Sequence, residues 1–381
     1  MAPTSNKSFI YKKIPDVYLI PGEHLVVEDR PLDLDTTPLE GGVLIKVYYA
    51  SFDPYIRDRT RDPTIEDFIP ALEVDTPITS SIVGRVIRSE ASAFQPGDLI
   101  TSFDGAHAEY AVIPGAHLEA VGVRKIENPY NLDISYFLGV LGMPGGTAFQ
   151  GLYDIGQPKK GETILVSAAA GPVGQLVGQL AKAEGLTVIG SAGSQAKIDF
   201  VVKELGFDAA FNYKTEEPGA ALRRLAPDGI DIYWDGVGGP LLDAALVALK
   251  PQGRIVSCGT VSPDQHLVSH HTHLQEERSA QLTYISKMSI YHDKPEDLYG
   301  VKNLWMLPNK SIRMEGFIFE FTAGGKYQAM VEKVAPLLAS GRFKALQDVT
   351  VGIENAPEGL AGIFTGKNFG KGVLKIAEPD L

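Results

Sequence analysis

The segment Ser167-Ala168-Ala169-Ala170-Gly171-Pro172-Val173-Gly174 constrains this chain more than any other. It follows an apolar run, Thr163 to Val166, that reads as a buried strand. It opens a stretch whose apolar residues Val173, Leu176, Val177 and Leu180 share one helix face. A strand, a tight glycine turn and a helix N-terminus together hold a dinucleotide pyrophosphate. The glycines let the backbone approach the phosphates, and unpaired N–H groups and the helix dipole favour the negative charge. Gly171, Pro172, Val173 and Gly174 are therefore candidate cofactor contacts. The pattern is A-x-x-G-x-x-G, with Ala168 where the usual fingerprint has its first glycine. Small residues at such a turn also serve simple close packing, so the turn alone leaves both readings open.

A second strand, Leu186 to Gly190, ends where an NAD site carries an Asp or Glu for the ribose hydroxyls. Here Gly190-Ser191-Ala192-Gly193-Ser194 follows, without a carboxylate. An acid would repel a 2′-phosphate, whereas small residues leave room for it and the hydroxyls of Ser191 and Ser194 can bond to it. Lys197 lies just beyond, opening a helix with apolar positions Ile198, Val201, Val202 and Leu205. A cation beside an anion pocket argues for NADPH over NADH; a solvated surface lysine is the other reading of the same position.

The chain has 381 residues, enough for two domains, and its 44 % hydrophobic and 22 % charged content is that of a soluble globular protein. A formal net charge of −12 argues against nucleic acid or an acidic membrane as the main partner. The single cysteine, Cys258, excludes an intramolecular disulfide and any zinc site of two or more thiolates. No apolar run approaches the ~18 residues that span a bilayer, and Met1 to Lys13 lacks the apolar core of a signal peptide. A cytoplasmic protein is the expectation.

The first third reads as β: strands Gly42 to Ala50, Ser81 to Ser89, Leu99 to Phe103 and Ala108 to Ile113, punctuated by turns such as Pro96-Gly97-Asp98. This suggests a small barrel. From Tyr136 strand and helix alternate. After Thr163–Val166 and Leu186–Gly190 come Ala209–Asn212, Ile230–Trp234, a helix Leu241–Leu249, Arg254–Ser257 and a last apolar strand Ile312–Phe319. That is the rhythm of an α/β, doubly wound parallel sheet. The Gly-rich, strand-like tail Gln347 to Ala377 can return to the first domain.

Eight pieces in one order then point to a family: Asp53-Pro54-Tyr55-Ile56-Arg57, Gly142-Met143-Pro144-Gly145-Gly146-Thr147-Ala148, Ala168 to Gly174, Phe211-Asn212-Tyr213-Lys214, Asp235-Gly236-Val237-Gly238-Gly239, Cys258-Gly259, Arg313-Met314-Glu315-Gly316-Phe317 and Asn368-Phe369-Gly370-Lys371. Nearly end to end, the chain resembles the zinc-independent medium-chain reductases of the leukotriene B4 12-hydroxydehydrogenase, prostaglandin reductase and alkenal double-bond reductase family. The resemblance implies a GroES-like β-barrel catalytic domain, residues 1–138 and 345–381. Beside it stands a Rossmann NADPH-binding domain, residues 139–344, with an insertion near 262–288. It implies metal-free reduction of the C=C bond of an α,β-unsaturated carbonyl, with hydride going to the β-carbon and charge to the carbonyl oxygen. By position, Lys197 and Tyr213 would bind the 2′-phosphate, Phe317, Ile318 and Phe319 would line the nicotinamide, and Asn368 would reach the cofactor. Gly236, Cys258 and Gly259 would complete the cofactor contacts. Tyr55 is a candidate donor to the developing oxyanion, with packing against the barrel wall as its other reading; the cofactor ribose hydroxyl is a further donor. Homodimers are common in the family, so a homodimer is expected along with the small-molecule substrate.

Two departures stand out. Gly236 replaces the family's Asn, removing an amide. Cys258-Gly259-Thr260-Val261-Ser262 is followed by Pro263-Asp264, where the family's motif continues to a tyrosine; Ser289-Ile290-Tyr291-His292 resumes the pattern, so Tyr291 is the candidate displaced tyrosine. The stretch between holds His266, His270, His271 and His273, which read as solvated loop histidines or as a metal cluster. Besides an enone or enal reductase, a quinone reductase, a dedicated biosynthetic enoyl reductase and a non-catalytic NADPH-binding sensor remain open.

Overall fold

The computed structural model describes residues 3–16, 18–65, 67, 69–258, 299–319 and 325–380. Gly259, Tyr291, the four clustered histidines and the 262–288 insertion lie outside the described residues.

The N-terminal strands are β1 (Lys7–Tyr11), β2 (Leu25–Asp29), β3 (Val43–Ser51), β4 (Thr76–Pro77), β5 (Thr79–Ser89), β6 (Leu99–Ala106), β7 (Tyr110–Ile113) and β8 (Arg124–Lys125). β3, β5 and β6 pair antiparallel, and β7 adds to β3. β1, β2 and β4 make a small separate antiparallel sheet. A five-residue helix, α1 (Tyr55–Arg59), follows β3.

The parallel strands are β9 (Thr163–Val166), β10 (Thr187–Ala192), β11 (Ala209–Asn212), β12 (Ile230–Asp235), β13 (Leu249–Ser257) and β14 (Arg313–Gly316). Their order is β11-β10-β9-β12-β13-β14, the doubly wound Rossmann arrangement. Ile164, Leu165 and Val166 are buried without alternation, because helices cover both faces of a parallel sheet. Those helices include α2 (Met143–Gln150), α3 (Pro172–Ala183), α4 (Gln195–Lys203), α5 (Pro218–Leu225) and α6 (Gly239–Ala248), then α7 (Met306–Lys310) and α8 (Lys326–Ala339).

The chain then adds β15 (Gln347–Val351), α9 (Ala356–Phe364) and β16 (Lys371–Lys375). β16 pairs antiparallel with β3, Val373 opposite Ser51, so the tail joins the N-terminal sheet.

One strand differs from the reading of the sequence. Ile312–Phe319 was expected to be a single apolar strand, but β14 stops at Gly316. Phe317 meets Trp234 edge-on at 6.2 Å. A Cβ on Gly151 would lie 2.6 Å from the Phe317 ring, and one on Gly146 would lie 2.1 Å from that of Phe319. Both phenyl groups fill sockets that these glycines leave open, and the pull of that packing ends the ladder. Among the described residues no helix is long and apolar enough to cross a membrane.

Candidate functional site

The glycine turn sits where β9 feeds α3. Gly171 caps the helix and Pro172 takes its first position, where a missing N–H costs nothing. Ala168 adopts φ +46°, the left-handed conformation that glycine supplies elsewhere. Gly174 is pressed on the turn: a Cβ there would lie 2.6 Å from the Ala168 carbonyl oxygen and 2.8 Å from Ala169 Cα. The first N–H groups of α3 therefore point out of a turn packed to backbone contact, with no helical acceptor of their own. Because left-handed alanine costs about 1–2 kcal/mol and glycine returns part of that through unfolded-state entropy, Ala168→Gly is expected to raise unfolding stability by up to ~1 kcal/mol. Urea midpoints measure this, and a loss of stability would show that the turn does not strain Ala168.

The C-terminal ends of β9, β12 and β13 meet beside this turn. Ser167 Oγ donates to the Trp234 carbonyl at 2.9 Å and accepts from the Gly236 N–H at 2.7 Å. Asp235 Oδ1 accepts from the N–H groups of Val237 and Gly238, shaping the loop into α6. The Cys258 N–H donates to the Asp235 carbonyl at 2.7 Å. Burial, then the Asp235 charge, pushes the Cys258 thiol up to about 12, so it stays protonated and unreactive, and with its N–H engaged its backbone offers a ligand the carbonyl. A Cβ on Gly236 would come no closer than 3.6 Å to Ser167 Oγ, so crowding does not explain the missing Asn.

Across β10 lies a second group. Ser191 is buried within the strand, and Ser194 caps α4 by accepting from the Lys197 N–H. A Cβ on Gly193 would fall 2.9 Å from Tyr213 Oη and 3.2 Å from Lys214 Cε, so these two side chains lie over the small-residue turn. Lys197 Nζ donates to the Gly366 carbonyl at 3.0 Å. Its pKa is lowered by burial and by the neighbouring Lys214 charge, with Asp348 acting the other way. Two ammonium groups and a phenol around a carboxylate-free turn suit a phosphate dianion. Lys214 was missed as a site residue; its place one position after Tyr213 was the available signal.

Of the nicotinamide-side residues, only Ile318 is open, at 62 % exposure. Phe319 is buried and Phe317 packs against the core, so of the three residues expected to line the nicotinamide Ile318 is the one with an exposed side chain. Asn368 Nδ2 donates to the Gly370 carbonyl at 2.9 Å, within a C-terminal segment whose Phe369 ring meets that of Phe200 of α4 at a tilt, 5.2 Å between centres. The Tyr55 ring packs partly buried against the core of the N-terminal sheet. Loss of solvent around its hydroxyl, then the charges of Asp53 and Asp104, raise its pKa well above the ordinary value, keeping the phenol protonated. Among the described residues no group of three His, Cys, Asp or Glu side chains could hold a metal.

The zinc-binding dehydrogenase family model matches residues 172–298, and the model for the N-terminal domain of oxidoreductase matches residues 27–121. The chain is 42 % identical over 375 residues to the NADP-dependent oxidoreductase RED1 of Cochliobolus heterostrophus, covering 98 % of each chain. It is 39 % identical over 378 residues to the NADP-dependent 2-alkenal reductase of Nicotiana tabacum, again covering 98 % of each. Among solved structures, that of CurA in complex with NADPH from Vibrio vulnificus is 31 % identical with a TM-score of 0.78, covering 98 % of this chain and all of that one.

Proposed function

The chain belongs to the zinc-independent medium-chain family of alkenal and enone reductases, and from that premise we propose that it reduces the carbon–carbon double bond of an α,β-unsaturated carbonyl compound with NADPH. The observation that carries the cofactor choice is the grouping of Lys197, Lys214 and Tyr213 over the Ser191–Ser194 turn, which itself holds no carboxylate, with Asp348 the acid that acts on Lys197. Val173 and Gly174 would hold the pyrophosphate with backbone N–H groups and the helix dipole, at the turn that Gly171 closes by donating its own N–H to the Ala168 carbonyl at 2.8 Å. Asn368, Ile318 and the backbone at Gly236, Cys258 and Gly259 would complete the cradle. Bound NADPH supplies the hydride. The protein then has to stabilise the negative charge that builds on the substrate's carbonyl oxygen and to deliver a proton. Tyr55 holds its proton at the hydroxyl through the working pH range and donates a hydrogen bond to that oxygen. Tyr291 is the second donor assigned to this work. The catalytic part comprises residues 1–138 and 345–381, the nucleotide-binding part residues 139–344, and a homodimer is the assembly.

The test is cofactor-resolved kinetics. Lys197→Ala and Lys214→Ala are each expected to raise KM for NADPH about tenfold while leaving that for NADH unchanged. A charge-assisted phosphate contact is worth ~1.5 kcal/mol when partly screened by solvent. Equal effects on both cofactors would remove the 2′-phosphate reading. NADPH consumption against simple enals, enones and quinones, with product structures determined, tests the reaction. Turnover confined to quinones, or NADPH binding without turnover of any acceptor, would refute it.

A further inference from the structure

We infer that Gln175, Lys371 and Asp53 form a chain of positioning residues that fixes Tyr55 relative to the phosphate-binding turn, an inference that rests on the reading of Tyr55 as the oxyanion donor. The chain is continuous. Gln175, in the first turn of α3, accepts from the Leu346 N–H at 2.9 Å and donates to the Ala170 carbonyl of the glycine turn at 2.9 Å. The Leu346 carbonyl accepts from the Lys371 N–H at 3.0 Å. Lys371 Nζ donates to the Phe52 carbonyl at 2.8 Å and to Asp53 Oδ1 at 2.6 Å, and Ser51 Oγ holds the other Asp53 oxygen. Asp53 lies two residues before Tyr55, and its carbonyl accepts from the Ile56 N–H at 3.1 Å.

Each link serves orientation better than stability. The side chains of Lys371 and Asp53 are 3 % and 4 % exposed. The cost of desolvating a buried pair offsets most of its attraction, so neutral side chains of similar shape would fold about as well. What such a pair does fix is geometry. α1 has five residues and no side-chain cap at its N-terminus, too short to hold its own direction; Arg59 anchors its far end on the Pro70 and Thr79 carbonyls and Asp104, and Asp53 holds the end that carries Tyr55. The same C-terminal segment also carries Asn368 and, through Gly366, touches Lys197. A tyrosine on a short helix in the N-terminal sheet is thereby registered against the helix that receives the pyrophosphate.

The experiment is a double-variant cycle in the full-length enzyme, using the acceptor that the wild type turns over fastest among simple enals, enones and quinones. Asp53→Asn/Lys371→Met removes both charges together, and is made with and without Tyr55→Phe. Tyr55→Phe and the pair variant are each expected to lower kcat roughly tenfold, with the NADPH Kd from fluorescence titration within about twofold of wild type. The triple variant should be no slower than either. Gln175→Leu cuts the same chain at the helix and is read by the same cycle if the pair variant does not fold. Losses that multiply, or an unimpaired pair variant beside an impaired Tyr55→Phe, overturn the coupling and leave the donor reading standing. A Tyr55→Phe enzyme with unchanged kcat overturns the donor reading, and the coupling falls with it.

Discussion

Gly174→Ala is expected to lower NADPH affinity about a hundredfold and to cost ~1–3 kcal/mol of folding stability, although alanine is the better helix former by about 1 kcal/mol. The conflict is between two backbones. The added methyl would meet the Ala168 carbonyl oxygen at 2.6 Å, Ala169 Cα at 2.8 Å and the Ala168 carbonyl carbon at 3.1 Å, none of which is a side chain that can rotate away. α3 must then withdraw from the turn, and the N–H groups of Val173 and Gly174 lose their aim at the phosphates. Two charge-assisted bonds weakened by ~1.5 kcal/mol each give the hundredfold figure. Gly171→Ala is the control. Its Cβ would approach only the Ala168 oxygen, at 3.1 Å, and its φ of −78° suits any residue, so a mild loss is expected. Fluorescence titration and urea unfolding on both variants measure the contrast. Wild-type affinity in Gly174→Ala would show that the turn relaxes, and the pyrophosphate would then have to be held elsewhere.

The nucleotide-binding half was legible because parallel strands are apolar throughout and punctuated by glycine. Thr163–Val166 and Ala209–Asn212 form over the expected residues. The expected Leu186–Gly190 shifts to Thr187–Ala192, which draws Ser191 into the sheet. The early failure of Ile312–Phe319 has a clear cause: alternating phenylalanines look like a strand, yet what decides their path is the pair of sockets at Gly146 and Gly151, more than 160 residues away in sequence. Site residues divide in the same way. Gly171, Gly174 and Lys197 stand beside a local pattern. Gln175 and Lys371 carry no period and no spacing, because each is defined by a partner far along the chain; Gln175 accepts from the Leu346 N–H and Lys371 donates to Asp53. Asp53 and Lys371 were both inside segments that drew attention, but nothing in the sequence says that they touch.

Acidification from pH 7 to pH 5 is expected to cost the wild type about 2 kcal/mol more stability than it costs His107→Gln. His107 is fully buried between the rings of Phe9, at 6.1 Å, and Phe52, at 6.2 Å. Its Nε2 lies 2.7 Å from Ser80 Oγ. Ser80 gives its hydroxyl proton to the Ser51 carbonyl at 2.6 Å, so Nε2 carries the hydrogen and Nδ1 is bare; among the described residues that nitrogen has no hydrogen-bond partner. Burial, then the charges of Arg59 and Lys371, drive the pKa from 6.5 down to about 3. The sign follows from proton counting: between these two values the unfolded chain binds a proton that the folded one refuses. The contribution is therefore complete above about pH 6.5 and drains away as pH falls toward 3. At pH 5 about 1.5 of the available 3.5 pH units have been crossed, and at 1.36 kcal/mol per unit this gives ~2 kcal/mol. Carboxylates of ordinary pKa stay ionised down to about pH 5, which keeps the window clear of them. Urea unfolding of both proteins at pH 7, 6 and 5 decides it: the wild-type midpoint should fall steadily while that of His107→Gln holds, and parallel curves would mean that His107 takes up its proton in the folded protein.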